Sequence, residues 1–162
     1  MARVYVSLGS NIEPEINIRS GIVALKVLHP DLTVSSVYKS KAIGFDGDDF
    51  YNLVVGFESE NNVFTIIDQM KEIEARHNRT RKNHRFTSRT LDIDLLLYDD
   101  MVISTRDITV PRDEITQYAF VLCPLAEIAG HEKHPVTGIT YNDLWRRFDD
   151  HSQQLRRVKF NW

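Results

Sequence analysis

The chain contains two segments of helical periodicity, and each lies between runs of β-branched and aromatic residues. In the first segment Pro14 suits a first helical turn and Pro30 ends the apolar repeat, whose members are Ile18, Ile22, Leu25 and Leu28. In the second, Asn61 or Asn62 is a candidate N-cap for an apolar stripe made of Val63, Ile66, Ile67, Met70 and Ile73. Both segments are therefore predicted to be amphipathic helices.

Four runs of strand-forming residues accompany these helices, at residues 4–8, 33–38, 50–57 and 90–98. The third run alternates, with Leu53, Val55 and Phe57 on one face, which predicts a half-buried strand. The order β-α-β-β-α-β predicts an α+β fold, a ferredoxin-like sandwich in which both helices cover one face of an antiparallel sheet. We expect a C-terminal extension of short helices and strands, with helices near residues 121–129 and 141–148.

The composition is that of one globular domain spanning residues 1–162. A hydrophobic fraction of 42% in 162 residues is enough for a sizeable core. No run approaches the roughly 20 apolar residues of a membrane span, and the start leads directly into a strand, so we expect a cytoplasmic protein without membrane contact. Cys123 is the only cysteine, so no internal disulfide can form, and we expect its thiol to fill the core.

The charge is unevenly distributed along the chain. The formal net charge is −3, yet the segment from Arg76 to Arg89 contains six basic residues and no acidic residue. A basic segment in an otherwise acidic protein indicates a local anion site more readily than a nucleic-acid surface.

Two carboxylates interrupt the last predicted strand. Asp92 and Asp94 share one face, about 7 Å apart, while Leu91, Ile93 and Leu95 face the core. Carboxylates on an apolar strand need compensation, and Mg²⁺ is commonly held by one or two carboxylates together with substrate phosphates. Nearby arginines supply guanidinium forks for phosphate oxygens. This inventory suits phosphoryl-type transfer, although simple pairing of the two aspartates with arginines on a solvated face remains open.

Several motifs resemble one enzyme family. They are Gly9-Ser10-Asn11, Phe50-Tyr51-Asn52, Arg89-Thr90-Leu91-Asp92-Ile93-Asp94, Thr109-Val110-Pro111 and Phe120-Val121-Leu122-Cys123-Pro124-Leu125. In this order the chain resembles 6-hydroxymethyl-7,8-dihydropterin pyrophosphokinase over nearly its whole length. The resemblance implies a ferredoxin-like fold and transfer of pyrophosphate from ATP to hydroxymethyl-dihydropterin, with AMP as product, in folate biosynthesis.

The resemblance also implies a role for individual residues. Asp92 and Asp94 would hold two Mg²⁺ ions, and Arg79 and Arg89 would act with them in catalysis. The implied ATP contacts are Glu74, Arg79, Arg81, Arg89, Leu95 and Thr109. The implied pterin contacts are Gly9, Ser40, Ile43, Phe50, Asn52 and Phe120, with the two phenylalanines stacking on the ring. Without the resemblance, Phe50 and Phe120 would be interpreted as core residues.

The chain departs from the family pattern in two regions. Lys41-Ala42 and Phe86-Thr87-Ser88 replace a Pro-Pro pair and a Trp-Gly-Pro motif near the pterin, and a tyrosine is replaced by Phe50. On the nucleotide side the departures are Asp107, Arg112, Asp113 and Tyr118. A divergent paralogue with altered substrate or weak activity therefore remains an alternative.

Two further alternatives belong to other functional classes. A non-catalytic ferredoxin-like module could bind an anion or RNA through the basic segment, but that segment has only Phe86 as a stacking aromatic. His131 and His134 lack further Cys or His partners for a metal, so we expect them in a solvated loop. We expect a monomer that binds ATP and the pterin and no nucleic acid.

Overall fold

The structure is a computed structural model that describes residues 1–41, 48–78, 90–150 and 152–162. Some of the predicted site residues and family departures lie outside these ranges, namely Ala42, Ile43, Arg79, Arg81, the 86–88 segment and Arg89.

The described residues form a mixed α/β protein built on an antiparallel sheet. The strands are β1 (Ala2–Ser10), β2 (Thr33–Val34), β3 (Val37–Ser40), β4 (Phe50–Ser59), β5 (Asp92–Tyr98), β6 (Ile103–Ser104), β7 (Thr109–Val110) and β8 (Arg156–Val158). The helices are α1 (Pro14–Leu28), α2 (Val63–His77), α3 (Glu114–Gln117), α4 (Ala119–Ala129) and α5 (Tyr141–Arg147). The main sheet has the order β5-β1-β4-β3-β8, with β2 beside β4, and β6 and β7 form a separate pair.

Local sequence signals account for the bounds of the first two helices. Helix α1 begins at Pro14 and ends two residues before Pro30, as predicted. Helix α2 follows Asn62, whose side chain accepts a hydrogen bond from the Thr65 N–H at 2.9 Å. Of the two candidate caps, Asn62 is therefore the one used, since it satisfies a backbone donor that the first helical turn leaves without a partner.

The strand predicted at residues 33–38 is wrong in one respect, because it is two strands. Ser35 separates β2 from β3 and bonds twice to β4: its N–H donates to the Val54 carbonyl and its hydroxyl accepts from the Val54 N–H, each at 2.9 Å. A side chain thus replaces one backbone partner of the ladder, and pairing with β4 resumes at Tyr38. The strand predicted at 90–98 begins later, at Asp92.

Both faces of the sheet are covered. One core joins α1 and α2 to the sheet residues Val6, Leu53, Val55 and Phe57, so the two helices share a face as predicted. A second core lies on the opposite face and joins α3 and α4 to Tyr5, Val54 and Leu96. Strand β4 is therefore buried on both faces, and the prediction of a half-buried strand is wrong. Helix α4, some 60 residues farther along the chain, covers the second face.

Two single-residue predictions in the C-terminal part also need correction. Cys123 is only half-buried and lies beside Tyr38 and Glu127, outside both cores. His134 is buried, and its Nδ1 accepts the Val136 N–H at 3.2 Å, so this histidine holds a turn and is not solvated. Among the described residues, no helix is long and apolar enough to cross a membrane.

Alanine substitutions at a buried and at an exposed valine test the second core. Val54 is fully buried under α4, whereas Val23 on α1 is 62% exposed. We expect Val54→Ala to lower the free energy of unfolding by about 2 kcal/mol, because it removes two buried methyl groups and leaves a cavity. Val23→Ala should change it by less than about 0.5 kcal/mol. Urea unfolding of both variants measures the difference, and equal losses would contradict a core on the second face.

Candidate active site

Three neighbouring strands bring Asp92, Gly9 and Asn52 into one row. Gly9 of β1 lies opposite Asp92 on β5 and opposite Asn52 on β4. A Cβ atom added to Gly9 would lie 2.9 Å from the Asn52 Oδ1, so the absence of a side chain lets the amide lie over the backbone of β1. The row therefore has a carboxylate at one end and an amide at the other, and Gly9 between them has no side chain.

The two aspartates project from the face opposite α1 and α2. Leu91, Ile93 and Leu95 are buried in the core formed with those helices, as predicted, while Asp92 and Asp94 are half-buried. Leu96, on the same face as the aspartates, belongs to the core under α4. The two aspartates thus lie just outside that core, where their half-exposed carboxylates are accessible to a ligand.

Glu74 adds a third carboxyl group to this edge. Its Oε2 accepts the Ile93 N–H at 2.9 Å, which attaches α2 to the outer edge of β5. Burial, a hydrogen bond with Asp92 and the negative charges of both aspartates raise the pKa of Glu74 to about 8. This shift favours the protonated form of Glu74, which can donate a hydrogen bond to Asp92.

Arg112 is the basic group that faces Asp94. Its Nη2 lies 3.6 Å from Asp94 Oδ1 and 3.0 Å from Glu114 Oε1. Burial alone would lower the pKa of Arg112, but the charges of Asp94 and Glu114 outweigh burial and raise it. The sequence showed Arg112 only as a departure from the family pattern. Its position became evident because its N–H donates to the Leu96 carbonyl at 3.0 Å, which sets this segment along the edge of β5.

One cleft collects most of the described residues predicted on the nucleotide side. It has a volume of about 150 Å³, and its lining includes Glu74, Asp94, Leu95 and Thr109. Lys71, Asp107 and Arg112 complete its polar lining. The cleft lies between α2, β5 and the segment around β7, so it opens beside both the carboxylates and Arg112.

A second pocket collects residues predicted on the pterin side. Its volume is about 440 Å³, and Ser40, Lys41 and Phe120 lie in its wall. Tyr118 lies in the same wall, so its assignment to the nucleotide side is wrong. Asn52 lies next to this wall, since its Nδ2 donates to Ser40 Oγ at 3.0 Å. Phe120 stacks on Tyr118 at 5.1 Å between ring centroids. Phe50 and Phe120 are both half-buried, and Phe120 packs against the second core from its edge.

The C-terminal wall of this pocket was not predicted. It contains Asp150, Ser152 and Gln153. The Gln153 side chain accepts the Ala119 N–H and donates to the Gln117 carbonyl, each at 2.9 Å, and so fixes the wall to the start of α4. An isolated glutamine in a polar run carries no sequence signal for such a contact.

The turn after β1 holds two distant segments close to the row. Ser10 and Asn11 are buried polar residues. Ser10 Oγ donates to the Thr90 carbonyl at 2.5 Å, and Asn11 Nδ2 donates to the Asp48 carbonyl at 3.1 Å. Asn78 Nδ2 donates to the Leu91 carbonyl at 2.5 Å, which joins the end of α2 to the start of β5. These side-chain contacts place the residues that lead into β4 and β5.

Glu74 gives the metal-free protein a pH-dependent stability. Its pKa of about 8 in the folded protein lies above the usual 4.5, so between these values the folded state binds more protons than the unfolded chain. Stability from this group therefore falls as pH rises through that window and levels off above it. We expect the unfolding free energy of the wild type, minus that of Glu74→Gln, to decrease from pH 5 to pH 8. Urea unfolding at each pH, with a chelator present to keep metal ions off the site, measures this difference. Glu72→Gln, on the same helix, is the control for loss of one negative charge. A constant difference would contradict the assignment.

Comparisons with known proteins agree with this arrangement. A family model described as 7,8-dihydro-6-hydroxymethylpterin-pyrophosphokinase (HPPK) matches residues 5–130. A 2-amino-4-hydroxy-6-hydroxymethyldihydropteridine pyrophosphokinase of Haemophilus influenzae is 34% identical in an alignment of 165 positions, which covers 99% of each chain. The Bacillus subtilis protein of the same name is 36% identical over 128 residues, or 76% of each chain.

The fold has relatives among solved structures. A crystal structure of wild-type Plasmodium falciparum HPPK-DHPS superposes with a TM-score of 0.72 at 13% identity, over 91% of this chain. This chain spans 41% of that longer protein, and the likeness concerns the fold alone. The family match and the Haemophilus influenzae relative both cover the row of Gly9, Asn52 and Asp92. The chain belongs to the 7,8-dihydro-6-hydroxymethylpterin-pyrophosphokinase family.

Proposed function

We propose that this chain transfers the pyrophosphoryl group of ATP to 6-hydroxymethyl-7,8-dihydropterin, releasing AMP and forming the pterin diphosphate for folate biosynthesis. The observation that carries the proposal is the row of Asp92, Gly9 and Asn52 across β5, β1 and β4. Asp94, two residues from Asp92, lines the nucleotide-side cleft, and Asn52 bonds to Ser40 in the wall of the other pocket. A donor and an acceptor in these pockets would meet at the carboxylates.

The fold is proposed to be ferredoxin-like, with residues 1–162 acting as one pyrophosphokinase domain. The sheet order β5-β1-β4-β3 corresponds to the order four-one-three-two of that fold when β2 and β3 count as one strand. The shared core under α1 and α2 supports the same interpretation. The second layer of helices and strand β8 are the C-terminal extension.

The aspartates are proposed to hold two Mg²⁺ ions with the ATP phosphates. Carboxylate oxygens are the ligands that Mg²⁺ prefers, and Asp92 and Asp94 present them half-exposed on a rigid strand. Magnesium held by these two carboxylates would supply positive charge that offsets the negative charge developing on the phosphates during transfer.

The protein's own groups would orient the nucleotide. Leu95 and Thr109 would line the adenosine side of the cleft, and Glu74 would hold the edge of β5 through the Ile93 N–H. The proposed phosphate contacts of Arg79, Arg81 and Arg89 come from the family resemblance, with Arg79 and Arg89 also acting in catalysis.

The pterin is proposed to lie over Gly9, with Asn52 at its edge. The Asn52 amide donates to Ser40, and this fixes its plane with the oxygen over Gly9. A fixed amide can pair with the alternating donors and acceptors of a pterin edge. Phe50 and Phe120 would stack on the ring, and Ser40 and Ile43 would contribute backbone contacts.

The departures at Asp107 and Arg112 favour a second candidate, a paralogue with altered nucleotide preference, because both residues line the cleft. Incubation with hydroxymethyl-dihydropterin and ATP, or GTP in parallel, tests both candidates through the nucleotide released. AMP formation that requires the pterin supports the proposal, GMP formation alone supports the second candidate, and ADP formation contradicts both. We propose that a monomer acts on these small molecules without nucleic acid.

The metal role predicts the effect of removing either carboxylate charge. Asp92→Asn and Asp94→Asn should each lower the turnover number at least about 100-fold, because each removes a metal ligand at the reacting phosphates. Asp100→Asn, at an exposed position in the turn that follows β5, is the control and should keep full activity. AMP release measures turnover, and circular dichroism checks the fold. More than about a tenth of wild-type turnover in both variants would contradict the role.

The pterin role predicts a selective effect at Gly9. A Cβ atom at this position would approach Asn52 Oδ1 to 2.9 Å and push the amide from its place. Gly9→Ala should therefore raise KM for the pterin about tenfold, which corresponds to one displaced hydrogen-bonding group. KM for ATP should change less than about twofold and serves as the internal control. Equal increases in both KM values would show that the substitution disturbs the whole site.

A further inference from the structure

Asp94 already has a cationic partner in the protein itself. Arg112 Nη2 lies 3.6 Å from Asp94 Oδ1, and the side chains of both residues are about one-third exposed, 35% and 30%. An arginine stays protonated at every pH that a folded protein tolerates. Any cation that approaches Asp94 therefore meets a fixed positive charge beside it.

The position of Arg112 is set by several bonds that do not involve Asp94. Its backbone N–H donates to the Leu96 carbonyl at 3.0 Å, and its carbonyl accepts the Ile115 N–H at 3.1 Å. Its Nε donates to Glu114 Oε1 at 3.1 Å, and Nη2 lies 3.0 Å from the same oxygen. The guanidinium is thus brought within reach of Asp94 by Glu114 and by the backbone, so its placement does not depend on the Asp94 contact.

The Asp94 contact is the looser of the two ion pairs. A separation of 3.6 Å exceeds that of a charge-assisted hydrogen bond, which is about 2.7–2.9 Å. Breaking it sacrifices little hydrogen bonding, because Glu114 retains the guanidinium. Arg112 also lines the nucleotide-side cleft, where a polyphosphate would offer it several anionic oxygens.

We propose that Arg112 is a resident counter-ion of Asp94, which opposes divalent-cation binding until a polyphosphate draws the guanidinium away. The proposal rests on the proposed function, because it takes Asp94 as a metal ligand. In the free protein a cation must compete with Arg112 for Asp94. With a polyphosphate in the cleft, Arg112 pairs with phosphate oxygens and no longer competes with the metal for Asp94.

Binding of Mn²⁺ to the free protein tests the proposal without an activity assay. Electron paramagnetic resonance measures free Mn²⁺ during titration of the full chain in the absence of nucleotide. Arg112→Ala should bind Mn²⁺ about tenfold more tightly than the wild type, since a single charge a few ångströms from a divalent ion has an effect of this order at a partly exposed site. Equal or weaker binding by Arg112→Ala would overturn the proposal.

Arg146→Ala is the matched control for loss of an arginine from an arginine–aspartate pair. Arg146 pairs with Asp143 on α5 at 2.5 Å, and no residue of α5 lines the cleft. This variant should bind Mn²⁺ as the wild type does. A tenfold gain here as well would show an effect of net charge alone and would overturn the proposal. Thermal unfolding checks each variant, and Arg112→Gln replaces Arg112→Ala if the latter does not fold.

A double-mutant cycle separates this proposal from the metal role on which it rests. In an Asp94→Asn background, Arg112→Ala should improve Mn²⁺ binding less than twofold, because the counter-ion has lost its partner. A full tenfold gain in that background would overturn the proposal.

Titration in the presence of a non-hydrolysable ATP analogue tests the metal role by itself. If Asp94→Asn leaves Mn²⁺ binding in that complex unchanged, Asp94 is not a ligand and both proposals fail. If Asp94→Asn weakens it but Arg112→Ala shows no gain in the free protein, only the counter-ion proposal fails.

Discussion

The simultaneous pairing of β1 with β4 and β5 is the constraint on which the rest of the structure depends. Along its length β1 is bonded on both sides, and its register sets Gly9 against Asp92 on one neighbour and Asn52 on the other. A slip of one residue in either ladder would turn these side chains to the opposite face. Such a slip would also take Val6, Val55 and Leu95 out of the core that they form with α1 and α2 and move them to the opposite face. Burial of the core therefore fixes the geometry of the site.

Coverage of the second face determines where the site begins. Helix α4 packs over β4 and β3, with Val54 and Leu96 among the sheet residues of that core. Asn52 and Asp94 lie on the same face two residues before these positions, where Asn52 is still buried and Asp94 is half-exposed. Phe120, in the first turn of α4, is half-buried at the boundary and lines a pocket. Helix α4 therefore completes the second core and also supplies a wall of the site. Phe120, which lines the pocket, directly precedes the core residues Val121 and Leu122.

The parts of the fold that could be predicted depend on local signals. Pro14 and Pro30 delimit α1, and the cap at Asn62 starts α2, because these features act within a few residues. The split at Ser35 could not be predicted, since it requires a bond to Val54 across the sheet. The same holds for the burial of Val54, because a period of two shows which residues share a face and not what later covers that face.

The candidate site divides in the same way. Asp92 and Asp94 were predicted because two carboxylates on an apolar strand conflict with burial, which is visible in the sequence alone. Gly9, Ser40, Asn52 and Phe120 required the family resemblance, since nothing in their own spacing indicates a ligand. The position of Arg112 beside Asp94 required the structure, because it depends on how the segment after β7 lies along β5.

The site must also remain folded when no substrate is present, and this explains its two unusual partners. Glu74, Asp92 and Asp94 would carry three negative charges on one edge of a strand, and their mutual repulsion would oppose folding. Burial and the neighbouring aspartates raise the pKa of Glu74. The shift favours the uncharged form of Glu74 and so reduces the repulsion. Arg112 balances the charge of Asp94 by pairing with it. Glu74 and Arg112 both line the nucleotide-side cleft. The groups that reduce the repulsion between the carboxylates are therefore those that an incoming polyphosphate and its cations would meet first.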